Sequence, residues 1–175
     1  PQTYLDTYRD RPLPDPCSLP GFSLRQTPAT RENAVGCTYQ RIREAYFAAI
    51  ALIDTHIGRI LDTLEQTGQI DDTVIIFTSD HGEMLGDREG YQKHVPYEGS
   101  AHIPMIACGP GFPQGLCETP VTTWDVATTV LEVSGTRKAD DHPLIGSSLR
   151  EVSQNARDRT VVYHHSQGSK RYVAS

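Results

Sequence analysis

The stretch Thr73-Val-Ile-Ile-Phe-Thr-Ser-Asp-His-Gly82 decides how the rest of the chain is read. Its first part, Thr73 to Thr78, is a continuous apolar run enriched in β-branched residues. Continuous rather than alternating apolarity predicts a strand buried on both faces, as inside a parallel sheet. In open α/β sheets, ligands bind just beyond the carboxyl ends of the strands. Ser79-Asp80-His81-Gly82 stands at that position. Asp80 offers an anionic oxygen and His81 an imidazole, and both are metal-ligating groups. Gly82 is expected to allow a tight backbone reversal that aims both side chains at one point. The polar, glycine-broken stretch that follows, Glu83 to Tyr97, holds Asp87, Arg88, Lys93 and His94. An acidic ligand, an imidazole and a lysine together suit transfer of an oxyanion, because a cation and Lys93 would neutralise a bound sulfate or phosphate. Taken alone, a Ser-Asp pair at a strand end is equally an ordinary turn or helix cap, and Lys93 and His94 read as solvated loop residues.

Outward from this run, a second apolar stretch, Ile103-Pro-Met-Ile-Ala107, is closed by Gly109-Pro110-Gly111. Upstream, Ile42, Tyr46, Ile50, Ile53, Ile57, Ile60, Leu61 and Leu64 recur at steps of three and four. They predict one long amphipathic helix over Tyr39 to Gln66, with this stripe facing the core. Arg41, Arg43, Glu44, Asp54, Arg59 and Asp62 fall mostly off the stripe, and Gly68 supplies the stop. Downstream, Thr123 to Val133 predicts a second helix, capped by Thr122 or Thr123, with Val126, Val130 and Val133 as its stripe and Gly135 as its end. Thr160-Val-Val-Tyr163 reads as a last strand. Helix, strand, loop, strand, helix is the order of an α/β layer fold. Residues 1–38 carry Pro1, Pro12, Pro14, Pro16, Pro20 and Pro28 and read as an extended, surface-wrapping arm.

The whole chain has 175 residues, with 16 Lys+Arg against 22 Asp+Glu and a net charge of −6. Its 37% hydrophobic content supports a real core and excludes collagenous, coiled-coil or fully disordered classes. An acidic chain without a basic block speaks against a nucleic-acid partner, and the short apolar runs speak against a membrane span. The four cysteines, Cys17, Cys37, Cys108 and Cys117, form no metal-finger pattern, and a Cys108–Cys117 disulfide is conceivable. An opening on Pro1 suggests a chain processed or cut from something longer.

Three strings then carry a family likeness. Thr78-Ser-Asp-His-Gly-Glu-Met-Leu-Gly-Asp87, Gln92-Lys-His-Val-Pro-Tyr-Glu98 and Ser100-Ala-His-Ile-Pro-Met-Ile106 closely resemble the sulfatase family. The likeness extends back to Ile53-Asp54 and Ile57-Gly-Arg-Ile-Leu61, and forward to Trp124-Asp-Val-Ala-Thr-Thr-Val-Leu131 and Gly146-Ser-Ser-Leu149. It looks most like the iduronate-sulfatase and choline-sulfatase branches, in which Asp-His replaces Asp-Asn. The resemblance implies an alkaline phosphatase-like α/β fold, a central sheet flanked by helices. Residues 1–38 would be the arm, 39–136 the later part of the core, and 137–175 the start of a smaller C-terminal subdomain. It implies Asp80 and His81 as ligands of a divalent cation, usually calcium with manganese as another candidate, and Lys93 as the group that holds a sulfate oxygen. His81 is also a candidate to hydrogen-bond the sulfate or the nucleophile, and His94 and His102 are candidate substrate contacts or proton donors. Asp125 would brace its helix. The substrate would be a sulfated small molecule or sulfated sugar.

The family's nucleophile is a Cys or Ser in a C-x-P-x-R motif, oxidised to formylglycine. Cys17-Ser-Leu-Pro20 has its proline one position late, and Cys37-Thr-Tyr-Gln40 has none. The chain is therefore expected to be a C-terminal portion whose partner is the missing N-terminal half, and to be inactive alone. The alternatives are a phosphonate monoester or phosphodiester hydrolase of the same superfamily, or a non-catalytic α/β module.

Overall fold

The computed structural model describes residues 1–18, 38–93, 95–136, 146–155, 163–167 and 170–174, the last two ranges by their backbone. They form two compact units, one of Pro1–Thr67 and His81–His102, the other of Gly68–Asp80 and Ile103–Ser175.

In the first unit, α1 (Gln2–Tyr8) packs on the long α2 (Tyr39–Gln66), and the short α3 (Glu98–Ala101) follows the loop after His81. The 28 residues of α2 are those the apolar period predicts. The Thr38 side chain caps its start by accepting from the Arg41 N–H at 3.3 Å, and Gly68 turns left-handed (φ 67°) just beyond its end. Which face is covered differs from expectation. Of the expected stripe, Ile50, Ile53 and Ile60 are 48%, 55% and 62% exposed, whereas Glu44 and Ala48 are buried. α1 packs on this helix with the Tyr8 and Phe47 rings 5.8 Å apart, and of the alanines facing it, Ala45, Ala48 and Ala49, only Ala48 is buried. Helical period locates an apolar stripe, but not the element that covers it.

Residues 1–38 are therefore not extended throughout. Pro1 occupies the N-cap of α1, where a missing N–H costs nothing, and the next proline lies at residue 12, past its end. Beyond α1 the chain is irregular from Arg11 to Ser18. Glu44, expected on the polar side, is what ties this segment down. It accepts from the Asp10 N–H at 3.0 Å, from Gln40 at 3.0 Å and from Arg41 at 2.7 Å. Burial works to raise the Glu44 carboxyl, but these hydrogen bonds and the Arg41 charge outweigh it and hold it below its ordinary value.

The second unit carries β1 (Ile75–Thr78), β2 (Met105–Cys108), α4 (Thr123–Val133), α5 (Leu149–Gln154) and a hairpin of β3 (Tyr163–Gln167) with β4 (Lys170–Ala174). The two buried-strand runs of the sequence are neighbours, but they pair antiparallel, Ile75 opposite Cys108 and Thr78 opposite Met105. The parallel expectation is corrected here. Apolar continuity reports how many faces are greasy, and direction is set by where the chain re-enters. Nor are both faces buried, since Phe77 is 40% and Ile106 58% exposed. Among the described residues, β1 and β2 pair only with each other. Pro104 has no N–H for a ladder, and β2 begins after it. Gly109 (φ 110°) closes the run because a Cβ there would overlap the Thr73 carbonyl oxygen.

Helix α4 spans the predicted residues, and Thr122 and Asp125 form its capping box. Its buried face is again not the valine stripe: Val130 is 52% and Val133 40% exposed, while Asp125 and Thr129 are fully buried. Asp125 Oδ2 accepts from the Thr122 N–H at 2.6 Å and Oδ1 from the Ser147 N–H at 2.8 Å. The Thr129 hydroxyl donates to the Asp125 carbonyl at 2.6 Å and accepts from the Leu149 N–H at 2.8 Å. These bonds seat α5, whose Leu149 and Val152 are buried, so Asp125 braces the helix pair as the family likeness implies. Cys108 and Cys117 are free thiols, which excludes the disulfide between them, and Cys117 lies 3.9 Å from the Val152 carbonyl. The predicted strand Thr160–Tyr163 falls outside the described residues except for Tyr163, where β3 begins. Among the described residues, no helix is long and apolar enough to cross a membrane.

Candidate active site

β1 ends at Thr78, and two residues on Asp80 stands exposed, its carboxylate within 3.5 Å of the Ser79 hydroxyl. One peptide bond later the first unit resumes at His81. Gly82 is required there for close approach rather than for a reversal. Its N–H donates to the Ser100 carbonyl at 2.9 Å, and a Cβ would overlap the Gly99 carbonyl oxygen. Met84, 1% exposed, fills the centre of the loop that follows.

That loop is strained. Leu85, Arg88, Glu89 and Gln92 all have positive φ, at 47°, 53°, 59° and 64°. Each left-handed non-glycine residue costs on the order of 1 kcal/mol or more and persists only when its surroundings over-determine it. Here they do. The Met84 N–H donates to the Gln92 carbonyl at 3.0 Å, and the Gly86 N–H donates to the Gly90 carbonyl at 2.7 Å. Cys17 clasps the loop from outside: its N–H donates to Asp87 Oδ1 at 2.8 Å, and its carbonyl accepts from the Arg88 N–H at 2.7 Å. Arg43 reaches from α2 to the Leu85 carbonyl at 2.9 Å. The Tyr39 and Tyr91 rings stack 5.7 Å apart, and burial, reinforced by Tyr39, pushes the Tyr91 phenol above its ordinary value. The Arg88 guanidinium lies 4.3 Å above the Tyr97 ring.

What the loop delivers is Lys93. Its Nζ lies 2.5 Å from His81 Nε2, while His81 Nδ1 lies 2.8 Å from the Gly82 carbonyl oxygen. A carbonyl only accepts, so Nδ1 carries the proton; an ammonium only donates, so Nε2 presents its lone pair. Lys93 is anchored on His81, half-buried, by one of its three donors. An ammonium so placed can bind one oxygen of a tetrahedral anion through the others.

The structure thus brings together His81 and Lys93 of the candidates. His102 lies at the C-cap of α3, 77% exposed, with Nδ1 2.6 Å from Glu98. His94 lies outside the described residues. Glu83, Arg43 and Arg88 shape the loop although no sequence pattern singles out those contacts. As for a cation, Asp80 has the hard oxygens that calcium takes, and His81 has one unprotonated nitrogen, the one Lys93 occupies. Among the described residues no three His, Cys, Asp or Glu side chains converge on one point.

An Asp-His pair thus follows the strand end, and a lysine is anchored on its histidine. The particular family follows from comparison: the sulfatase family profile matches residues 9–136, and the chain belongs to that family. It is 40% identical over 120 residues to a choline-sulfatase of Rhizobium meliloti, a match covering 63% of this chain and 23% of the relative. Among solved structures it is similar to a phosphonate monoester hydrolase from Silicibacter pomeroyi, with a TM-score of 0.73 and 31% identity over 87% of this chain and 34% of that one. Another, solved with its substrate D-glucosamine-2-N,6-O-disulfate, has a TM-score of 0.64 and 25% identity over 84% of this chain and 34% of that one. These are alkaline phosphatase-like α/β folds, as the sequence led one to expect. The chain spans about a quarter of the length of the curated relatives it matches.

Proposed function

We propose that the protein carrying this chain hydrolyses a sulfate ester, and that these residues form its anion-holding and cation-holding side. The observation that carries the reading is the Lys93 ammonium anchored on His81 directly after the Asp80 strand end. Lys93 donates to a sulfate oxygen and neutralises charge as the S–O bond breaks. His81 keeps the ammonium in place. Asp80 would hold a divalent cation, calcium or manganese, with His81 Nε2 as a second donor. The cation, when bound, polarises the sulfate and activates the nucleophile. The nucleophile would be a formylglycine contributed from outside this chain. The same Nε2 lone pair serves Lys93 or a cation, so the two uses are exclusive at any instant.

The substrate class is a sulfated small molecule or sugar, which the disulfated glucosamine in one structural relative and the choline-sulfatase relative support. A second reading, phosphonate monoester hydrolysis, is favoured by the likeness to the Silicibacter enzyme. The test is turnover of an aryl sulfate and an aryl phosphonate monoester by the protein that carries this chain. Sulfate should be preferred. Asp80→Ala should abolish turnover without unfolding, and Lys93→Ala should lower kcat by about 10²–10³, the usual cost of removing one preorganised donor. Full activity in either variant would sink the reading, and a preference for the phosphonate would select the second one.

A further inference from the structure

We propose that Glu83 is a positioning residue for Lys93, acting through the backbone of the strained loop. Its carboxylate Oε1 accepts from two backbone N–H groups, those of Leu85 at 3.3 Å and of Gln92. These two residues open and close the left-handed stretch, and Gln92 immediately precedes Lys93. Gln92 has φ 64°, a conformation its own side chain disfavours, so something must hold it there. The Met84 N–H to Gln92 carbonyl bond at 3.0 Å holds the peptide from one side, and the Glu83 carboxylate takes its N–H from the other. With Gln92 fixed, the direction of the chain into Lys93 is fixed, and Nζ meets His81 Nε2 at 2.5 Å. Through these backbone bonds Glu83 sets the geometry in which Lys93 and His81 meet. A charged acceptor shared by two amides suits this task better than a hydroxyl, because such bonds are roughly twice as strong as neutral ones.

The inference rests on the reading of Lys93 as the anion-holding group, but its test does not need turnover. In the isotope-labelled 175-residue chain, the His81 ring should show one tautomer, protonated at Nδ1, in long-range ¹H–¹⁵N spectra at neutral pH. Glu83→Ala should give the mixture of tautomers of an unanchored imidazole. It should also speed amide exchange at Gln92 by about tenfold or more, since a bond to a charged acceptor is worth at least that factor. Glu83→Gln keeps an acceptor oxygen and should restore the single tautomer, which a purely electrostatic role of Glu83 would not allow. Should Glu83→Ala fail to fold by circular dichroism, Glu83→Asp decides, because the shorter side chain cannot reach both amides. A folded Ala or Asp variant with the single His81 tautomer and unchanged Gln92 exchange would overturn the proposal. A sulfatase assay of the whole protein that carries this chain, failing for every variant and the parent alike, would strike the functional reading and leave this result standing.

Discussion

Asp125→Ala tests whether the second unit is held by one buried carboxylate. Asp125 is fully buried and its two oxygens serve different elements: Oδ2 takes the Thr122 N–H at the start of α4, and Oδ1 takes the Ser147 N–H ahead of α5. Loss of the capping half costs about 1 kcal/mol. Loss of the Ser147 bond removes a charged acceptor from that amide, worth about 1.5–3 kcal/mol. The sum is roughly 2.5–4 kcal/mol, and for a chain of this size each kcal/mol moves Tm by about 2–4 °C, so a drop of about 10 °C is expected. Urea unfolding should show the midpoint falling with the m-value unchanged. Asp125→Asn, which keeps one carbonyl oxygen for two amides, should lose about half as much. A loss below about 1 kcal/mol for Asp125→Ala would refute the reasoning, since no cap plus buried charge-assisted bond is that weak.

Acid should loosen the α1–α2 contact. The Glu44 carboxyl is held below its ordinary value in the folded chain, so its contribution is complete above that value and lost as pH falls through the folded one. Glu44→Gln should flatten the dependence of stability on pH between neutral and about pH 3, read by urea unfolding, and an unchanged slope counts against the Glu44 assignment. Gly82→Ala should destabilise by about 1–3 kcal/mol or more, because the atom its Cβ meets is backbone, the Gly99 carbonyl, which cannot swing aside. A neutral Gly82→Ala would mean the loop can shift at no cost. Calorimetric titration of the chain with calcium or manganese should show weak binding, because no three ligating side chains converge among the described residues; a tight stoichiometric site contradicts this.

Several features were legible from residues alone, and the reason is that they are local. Thr38 and Gly68 act within one turn of the ends of α2, and Thr122 and Gly135 do the same for α4, so both helices run where period and punctuation put them. The Asp80-His81 pair could be found because it follows directly on an apolar run, and Lys93 because the family strings place it. What could not be read is what depends on a distant partner. The apolar stripe of α2 looked like the core face, yet the residues of α2 that are buried are Ala48 and Glu44. α1 itself was hidden among prolines, which break helices only where they fall inside them. The left-handed residues from Leu85 to Gln92 include no sequence signal beyond glycines, because their conformation is imposed by Cys17, Arg43 and Glu83.

The sequence by itself determined the two long helices, the two apolar strand runs and the family, since periods, caps and short motifs are properties of neighbouring residues. Only the tertiary structure decided that β1 and β2 run antiparallel, that Asp125 and Glu44 are buried braces, and that Lys93 is held on His81 Nε2. Each of these depends on which donor or carbonyl a chain folded back on itself brings within about 3 Å, a distance that no local pattern encodes.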